Sequence, residues 1–140
     1  MEGSIRPIAV CVFSRGGKIL VHEVRDSEKG ETFYRPVGGG IEFGERSEDA
    51  VAREVSEELG LDAGSFTLIG VVENVFDFDG SRRHEICFIY DGKFSEESVY
   101  EKDNLKLNGT KGVDRAVWVE LSDFRSGKKI LYPQGVIEML

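Results

Sequence analysis

Glu54, Glu57 and Glu58 are the residues of this chain whose type and spacing could do chemistry. Positions i, i+3 and i+4 are neighbours on a helix surface, so the three carboxylates share one face. Val51, Ala52, Val55 and Leu59 fall on the adjoining face and form an apolar stripe. Such a helix can be held to a core while it presents oxygen ligands on its rim. The surrounding stretch is dense in acid. From Glu42 to Glu58, seven acids stand against two arginines, a local charge of −5 in a chain whose total is −8. Crowded carboxylates repel one another unless a cation lies among them, and hard oxygen donors suit Mg²⁺ or Mn²⁺. Mg²⁺ takes one or two protein carboxylates together with substrate phosphate oxygens.

Two further features belong with the glutamates. Gly38, Gly39 and Gly40 stand in a row, and glycine lets backbone approach a ligand closely, so a carbonyl there could complete a coordination sphere. Arg53 lies on the flank of the helix beside Glu57, where it can pair with Glu45 and hold a glycine loop against the helix. The chemistry expected of this set is metal-assisted hydrolysis of a phosphate chain. The ions neutralise charge and orient a water, and a carboxylate takes its proton.

The elements that must position these residues follow from periodicity and turn signals. The helix is expected to start at Ser47 as N-cap, with Glu48 and Asp49 favouring its positive end, and to stop at Gly60. Strands are expected at 5–14, 18–25, 32–37, 66–78, 82–91 and 113–121, with turns at Gly16-Gly17 and Asp79-Gly80. Residues 41–44 read as a tight connection. Residues 93–112 are the most polar stretch and read as a surface loop or a lid. A short turn is expected at Asp123-Phe124 and a last helical piece at 134–140. Strands on both sides of one strong helix argue for an α/β (α+β) fold, a mixed sheet with helices on its faces.

The totals bound the rest. A chain of 140 residues, 40% hydrophobic, is one domain's worth with enough apolar mass for a core. No stretch has the length of a membrane-spanning helix. Residues 1–7 lack the basic, apolar and small-residue order of a signal peptide. Cys11 and Cys87 lie in apolar runs and read as buried reduced thiols, so the cytoplasm is the default location. The net charge argues against a nucleic-acid backbone as partner. A small molecule is expected instead, and a homodimer is compatible with the chain.

The central stretch resembles the Nudix box, the signature of the Nudix hydrolase family. The match runs through Gly39, Glu45, Arg53-Glu54, Val55, Glu57-Glu58 and Gly60-Leu61, with every defined position filled. Tyr34-Arg35-Pro36 before the glycines and Val117-Trp118-Val119 on a late strand extend the resemblance along most of the chain. It implies an α/β/α sandwich around a mixed sheet. It also implies hydrolysis of a nucleoside diphosphate linked to another moiety, with Mg²⁺ or Mn²⁺ as cofactor. Glu54, Glu57 and Glu58 would be metal ligands or, in one case, the base. Gly39 would offer its carbonyl, and Glu45 would support Arg53 or a further ion. Glu57 is the first choice of base, with Glu96, Glu97, Glu101 and Asp103 as alternatives.

Arg35 and Tyr34 are candidates for substrate contact, the first through phosphate and the second through stacking; Phe76 is another stacking candidate. Arg82, Arg83 and His84 form a basic patch that either meets a terminal phosphate or is merely solvated. Glu73 and Glu85 could point towards the metal site. No proline lies between Pro36 and Pro133, which argues against the ADP-ribose pyrophosphatases of the family. The other readings are a non-catalytic nucleotide-sensing domain and a hydrolase of a non-nucleotide diphosphate.

Overall fold

The computed structural model describes residues 3–108 and 115–140. In chain order the strands are β1 (Ile5–Val12), β2 (Ser14–Arg15), β3 (Lys18–Asp26), β4 (Glu31–Gly40), β5 (Ala63–Phe78), β6 (Ser81–Phe94), β7 (Asn104–Lys106) and β8 (Arg115–Glu120). Helix α1 (Ser47–Leu59) lies between β4 and β5, and the short α2 (Leu121–Arg125) follows β8. The sheet order is β5-β6-β1-β4-β3-β8-β7, with β2 paired to β3. β1 and β6 run parallel, with Arg6 opposite Glu85; the other pairings are antiparallel. The sheet is therefore mixed, as expected.

Two apolar layers cover its faces. On one side Ala50, Val51, Val55 and Leu59 of α1 pack against Ala9, Cys11, Leu20 and Val37. On the other, Ile8, Val10, Val21 and Ile89 pack under Phe124, Leu131 and Val136 of the C-terminal segment. The buried stripe of α1 includes Ala50 and leaves Ala52 exposed. The helix is thus rotated slightly from the expected phase. Both cysteines are free and buried.

Several local expectations change. The three glycines are not a loop: they continue β4, with Val10, Ala9 and Ile8 opposite Gly38, Gly39 and Gly40. Tight packing explains the residue type. A Cβ on Gly38 would come within 2.1 Å of the Ala9 carbonyl oxygen, and one on Gly39 within 2.5 Å of the Glu54 carboxylate. Arg46, not Ser47, is the N-cap of α1. The Ser47 hydroxyl is instead hydrogen-bonded to the Tyr90 hydroxyl at 2.6 Å. Gly60 ends the helix in the left-handed conformation, φ 64°, as expected.

The β5–β6 turn also follows its chemistry. Asp79 and Gly80 both have positive φ, 48° and 82°, which suits a two-residue hairpin between right-twisted strands. The polar stretch after β6 carries a 3₁₀ helix, Glu97–Glu101, and β7. Tyr100 anchors it: its hydroxyl accepts from the Phe94 N–H, and the Arg15 guanidinium donates to its carbonyl. The Trp118 indole N–H donates to the Lys102 carbonyl at 3.0 Å. The part of the expected loop at 109–112, and the start of the expected last strand at 113–114, lie outside the described residues. The expected C-terminal helix is reduced to a 3₁₀ turn, Ile137–Met139.

Candidate active site

Arg53 is the hub that fixes α1 to the connection after β4. Its Nε and Nη2 donate to the two Glu45 oxygens at 2.8 and 2.9 Å, a fork-on-carboxylate geometry. Nη2 also donates to the Gly40 carbonyl at 3.0 Å. Nη1 donates to Glu54 at 2.8 Å and to Glu57 at 3.3 Å. Glu45 in turn accepts the Glu42 backbone N–H at 3.1 Å. The Arg53 hydrogen bonds hold the Glu45 carboxyl down to about 2. The sequence-based pairing of Arg53 with Glu45 is thus present, joining the strand end, the connection and the helix.

A cavity of about 330 Å³ opens beside this hub. Glu54, Glu58 and Gly38 to Gly40 form one end, and Phe33, Phe76 and Phe78 the other. Glu58 is the more enclosed carboxylate. Burial first, then the neighbouring charges of Glu54 and Glu57, push it up to about 8, although the Gly38 backbone N–H partly offsets this. The Glu54 carboxylate lies against Gly39, in the space a side chain there would fill. Glu57 stands apart, 60% exposed and turned to Arg53. Among the described residues no three acidic, histidine or cysteine side chains stand together in a metal-holding group. The expected trio is therefore a pair, Glu54 and Glu58, with Glu57 on the rim.

The residues present nevertheless fit a hard divalent cation. Two carboxylates crowd together with too little countercharge, and a backbone strand bare of side chains lies beside them. Mg²⁺ asks for little more from a protein than one or two carboxylates.

The aromatic end was only partly anticipated. Arg35 donates to Glu85 at 2.6 Å and lies 5.9 Å from the Phe76 ring centre. Its buried Nε has no partner among the described residues. Glu85 is buried and lines the cavity, where it is paired with Arg35. Glu73 instead meets His84 at 3.0 Å on the exposed side of the hairpin. Phe33 meets Phe78 edge-on at 5.9 Å, and Phe76 stacks on Tyr132 at 6.3 Å.

Two of the proposed substrate contacts are placed elsewhere. Tyr34 is buried in the layer under α2, with its hydroxyl donating to Glu23 at 3.0 Å. Strand alternation sends it to the opposite face from Phe33 and Arg35. Arg82 is exposed and pairs with Asp77 at 3.0 Å across the hairpin. Arg83 does line the cavity, with its guanidinium 5.4 Å from the Phe78 ring centre. Arg6 and His22 also line it and were missed. The available signal was the period-two alternation of β1, which puts Arg6 on the same face as Ile8 and Val10. Glu96, Glu97, Glu101 and Asp103 do not line the cavity.

A family model described as NUDIX domain matches residues 4–137. The chain belongs to the Nudix family. This Nudix chain is similar to the crystal structure of a MutT NUDIX hydrolase from Burkholderia pseudomallei, at 26% identity and TM-score 0.64, covering 85% of each chain. It also resembles a NUDIX hydrolase from Nitrosomonas europaea, at 18% identity and TM-score 0.63, covering 97% of this chain and 86% of that one. A MutT protein from Methanosarcina mazei shares the fold at 20% identity and TM-score 0.63, covering 99% and 92%. The chain is a Nudix hydrolase, and the fold and domain support pyrophosphohydrolase activity in general. Among the described residues no helix is long and apolar enough to cross a membrane.

Proposed function

We propose that this Nudix hydrolase, a single domain, cleaves a nucleoside diphosphate linked to another moiety, with Mg²⁺ or Mn²⁺ held between Glu54, Glu58 and Gly39 and with Glu57 at the rim of the site. The observation that carries the reading is the convergence of Glu54 and Glu58 on the cavity that Gly38 to Gly40 also line. The bound ion would neutralise phosphate charge and acidify a water. The protein's own residues do the rest. Arg53 holds Glu54 and Glu57 in place and ties them to the Gly40 carbonyl. The aromatic end takes the apolar body of the substrate, and Arg35 offers its guanidinium beside it.

The water oxygen bonds to one phosphorus as the bridging P–O bond breaks. The bridging oxygen leaves on the other phosphate, giving two phosphate monoesters. We assign the water's proton to Glu58 rather than to Glu57, the first choice from sequence; the support is that Glu58 lines the cavity while Glu57 is held by Arg53 at the rim. The test is turnover of a panel of nucleoside diphosphate derivatives with Mg²⁺ or Mn²⁺, reading products by mass. Glu58→Gln should lower kcat by about 100-fold or more, and Glu57→Gln by less. Failure of every diphosphate with either metal would overturn the reading.

A further inference from the structure

The cavity described above shares part of its lining with a second one. This second cavity, of about 490 Å³, lies at the N-terminal ends of β1 and β6 and is lined by Ser4 to Pro7 and Ser81 to Glu85. Three residues line both cavities: Arg6, Arg83 and Glu85. β1 and β6 run parallel here with Arg6 opposite Glu85, and Arg83 is two residues before Glu85, so the three side chains share one sheet face.

The basic residues at this junction are not equivalent. Arg82 and His84, on the other face, are matched by Asp77 and Glu73 of the neighbouring strand. Glu85 is matched by Arg35. Among the described residues, neither Arg6 nor Arg83 has an acidic side chain within ion-pair distance. Arg83 rests on the Phe78 ring, and Arg6 lies over Gly40, so that a Cβ on Gly40 would come within 3.0 Å of its Nη2. Two uncompensated guanidiniums on a chain of net charge −8, beside a glycine that also touches the Arg53 hub, call for an anion. Their forked donors match phosphate oxygens.

We propose that Arg6 and Arg83 form an anion-binding step between the two cavities, so that the preferred substrates are diphosphates whose distal moiety carries a further phosphate. The scissile diphosphate lies at the glutamate end, and the extra phosphate meets the two guanidiniums and reaches into the second cavity. This rests on the hydrolase reading above for its kinetic test but not for its binding test.

The kinetic test uses a nucleoside diphosphate sugar and the same compound with a phosphate on the sugar. The wild-type enzyme should favour the phosphorylated substrate in kcat/KM, chiefly through KM. In the Arg6→Ala/Arg83→Ala double variant that preference should fall by about tenfold, and lysine at both positions should restore part of it. Lys128→Ala, at an exposed site outside both cavities, should leave the preference unchanged and so controls for net charge. Turnover of both substrates with no preference, or a preference that survives the double variant, overturns the proposal.

The binding test needs no turnover. Calorimetric titration of inorganic tripolyphosphate into the metal-free protein should give saturable binding that weakens with added salt and is about tenfold weaker in the double variant. Absence of saturable binding, or equal binding by the two proteins, also overturns it. Absence of all turnover with intact tripolyphosphate binding would reject the hydrolase reading and leave the anion step supported.

Discussion

At the scale of single residues, the site is governed by how charge is matched. Arg53 is matched by Glu45 on two oxygens and by Glu54 and Glu57 on a third nitrogen. Glu58 has no arginine or lysine partner among the described residues and stays enclosed, beside Glu54 and the Gly38 N–H. These opposite environments push Glu45 down to about 2 and Glu58 up to about 8, so neighbouring carboxylates of one motif serve different ends. Glu45 yields a pH prediction. Its folded pKa lies below the ordinary value of 4.5, so it contributes stability that is present above pH 4.5 and is lost as pH falls towards 2. Denaturant melts of wild type and Glu45→Gln should differ at pH 7, and the gap should narrow steadily below pH 4.5 and close only below about pH 2. A gap that persists unchanged at low pH would mean that Glu45 stabilises through packing alone.

At the scale of elements, β4 and α1 form one unit. The glycines are strand residues, and each is glycine for a different neighbour. Gly38 faces the backbone of β1, which cannot move without breaking the pairing, whereas Gly39 faces the carboxylate end of the Glu54 side chain, which can swing aside at the cost of its Arg53 contact. Gly38→Ala should therefore cost stability, by about 1–3 kcal/mol, seen as a lowered midpoint in urea. Gly39→Ala should melt closer to wild type but lose activity, because Glu54 is pushed off its place. Equal stability losses in the two variants would show that the Glu54 side chain is as rigid as the backbone. The same pairing explains why the glycine run read as a loop: composition marks glycine as a turn former, and only the approach of β1 makes it a strand.

At the scale of the whole molecule, the aromatic end of the cavity depends on two loop tips meeting. Buried Asp26, at the end of β3, accepts the backbone N–H groups of Glu28 and Lys29 at 3.0 and 3.1 Å and that of Asp79 at 3.3 Å. Asp79 returns the contact by accepting from the Ser27 N–H and hydroxyl at 2.8 and 2.9 Å. This lock brings the β5–β6 hairpin, with Phe76 and Phe78, beside Phe33 on β4. Asp26→Ala should lower stability by about 1–3 kcal/mol, since three backbone N–H groups at the two loop tips lose their shared acceptor. It should raise KM more than it lowers kcat, because the aromatic wall loosens while the glutamate end is untouched. An unchanged KM would uncouple the hairpin tip from substrate binding.

The sequence by itself determined the candidate catalytic unit, because helix periodicity and fixed spacing are local. Glu54, Glu57 and Glu58, the Arg53–Glu45 pair, the Gly60 stop and the Asp79-Gly80 turn all lie within a few turns of chain, where 100° per residue or a two-residue loop fixes geometry. The mixed sheet was likewise legible from the alternation of strands around one helix. The tertiary structure alone decided what depends on contacts between distant strands. Strand register turned the glycines into pairing residues, sent Tyr34 to the far layer and kept Arg35 on the cavity side. It brought Arg6 and Arg83, residues 77 positions apart in sequence, to the lining of the same two cavities, and matched Arg82 to Asp77 while leaving Arg83 free of acids among the described residues. A one-residue slip in a strand reverses every side chain. No local pattern records the register, so the half of the cavity lined by arginines and aromatic rings became visible only in the folded chain.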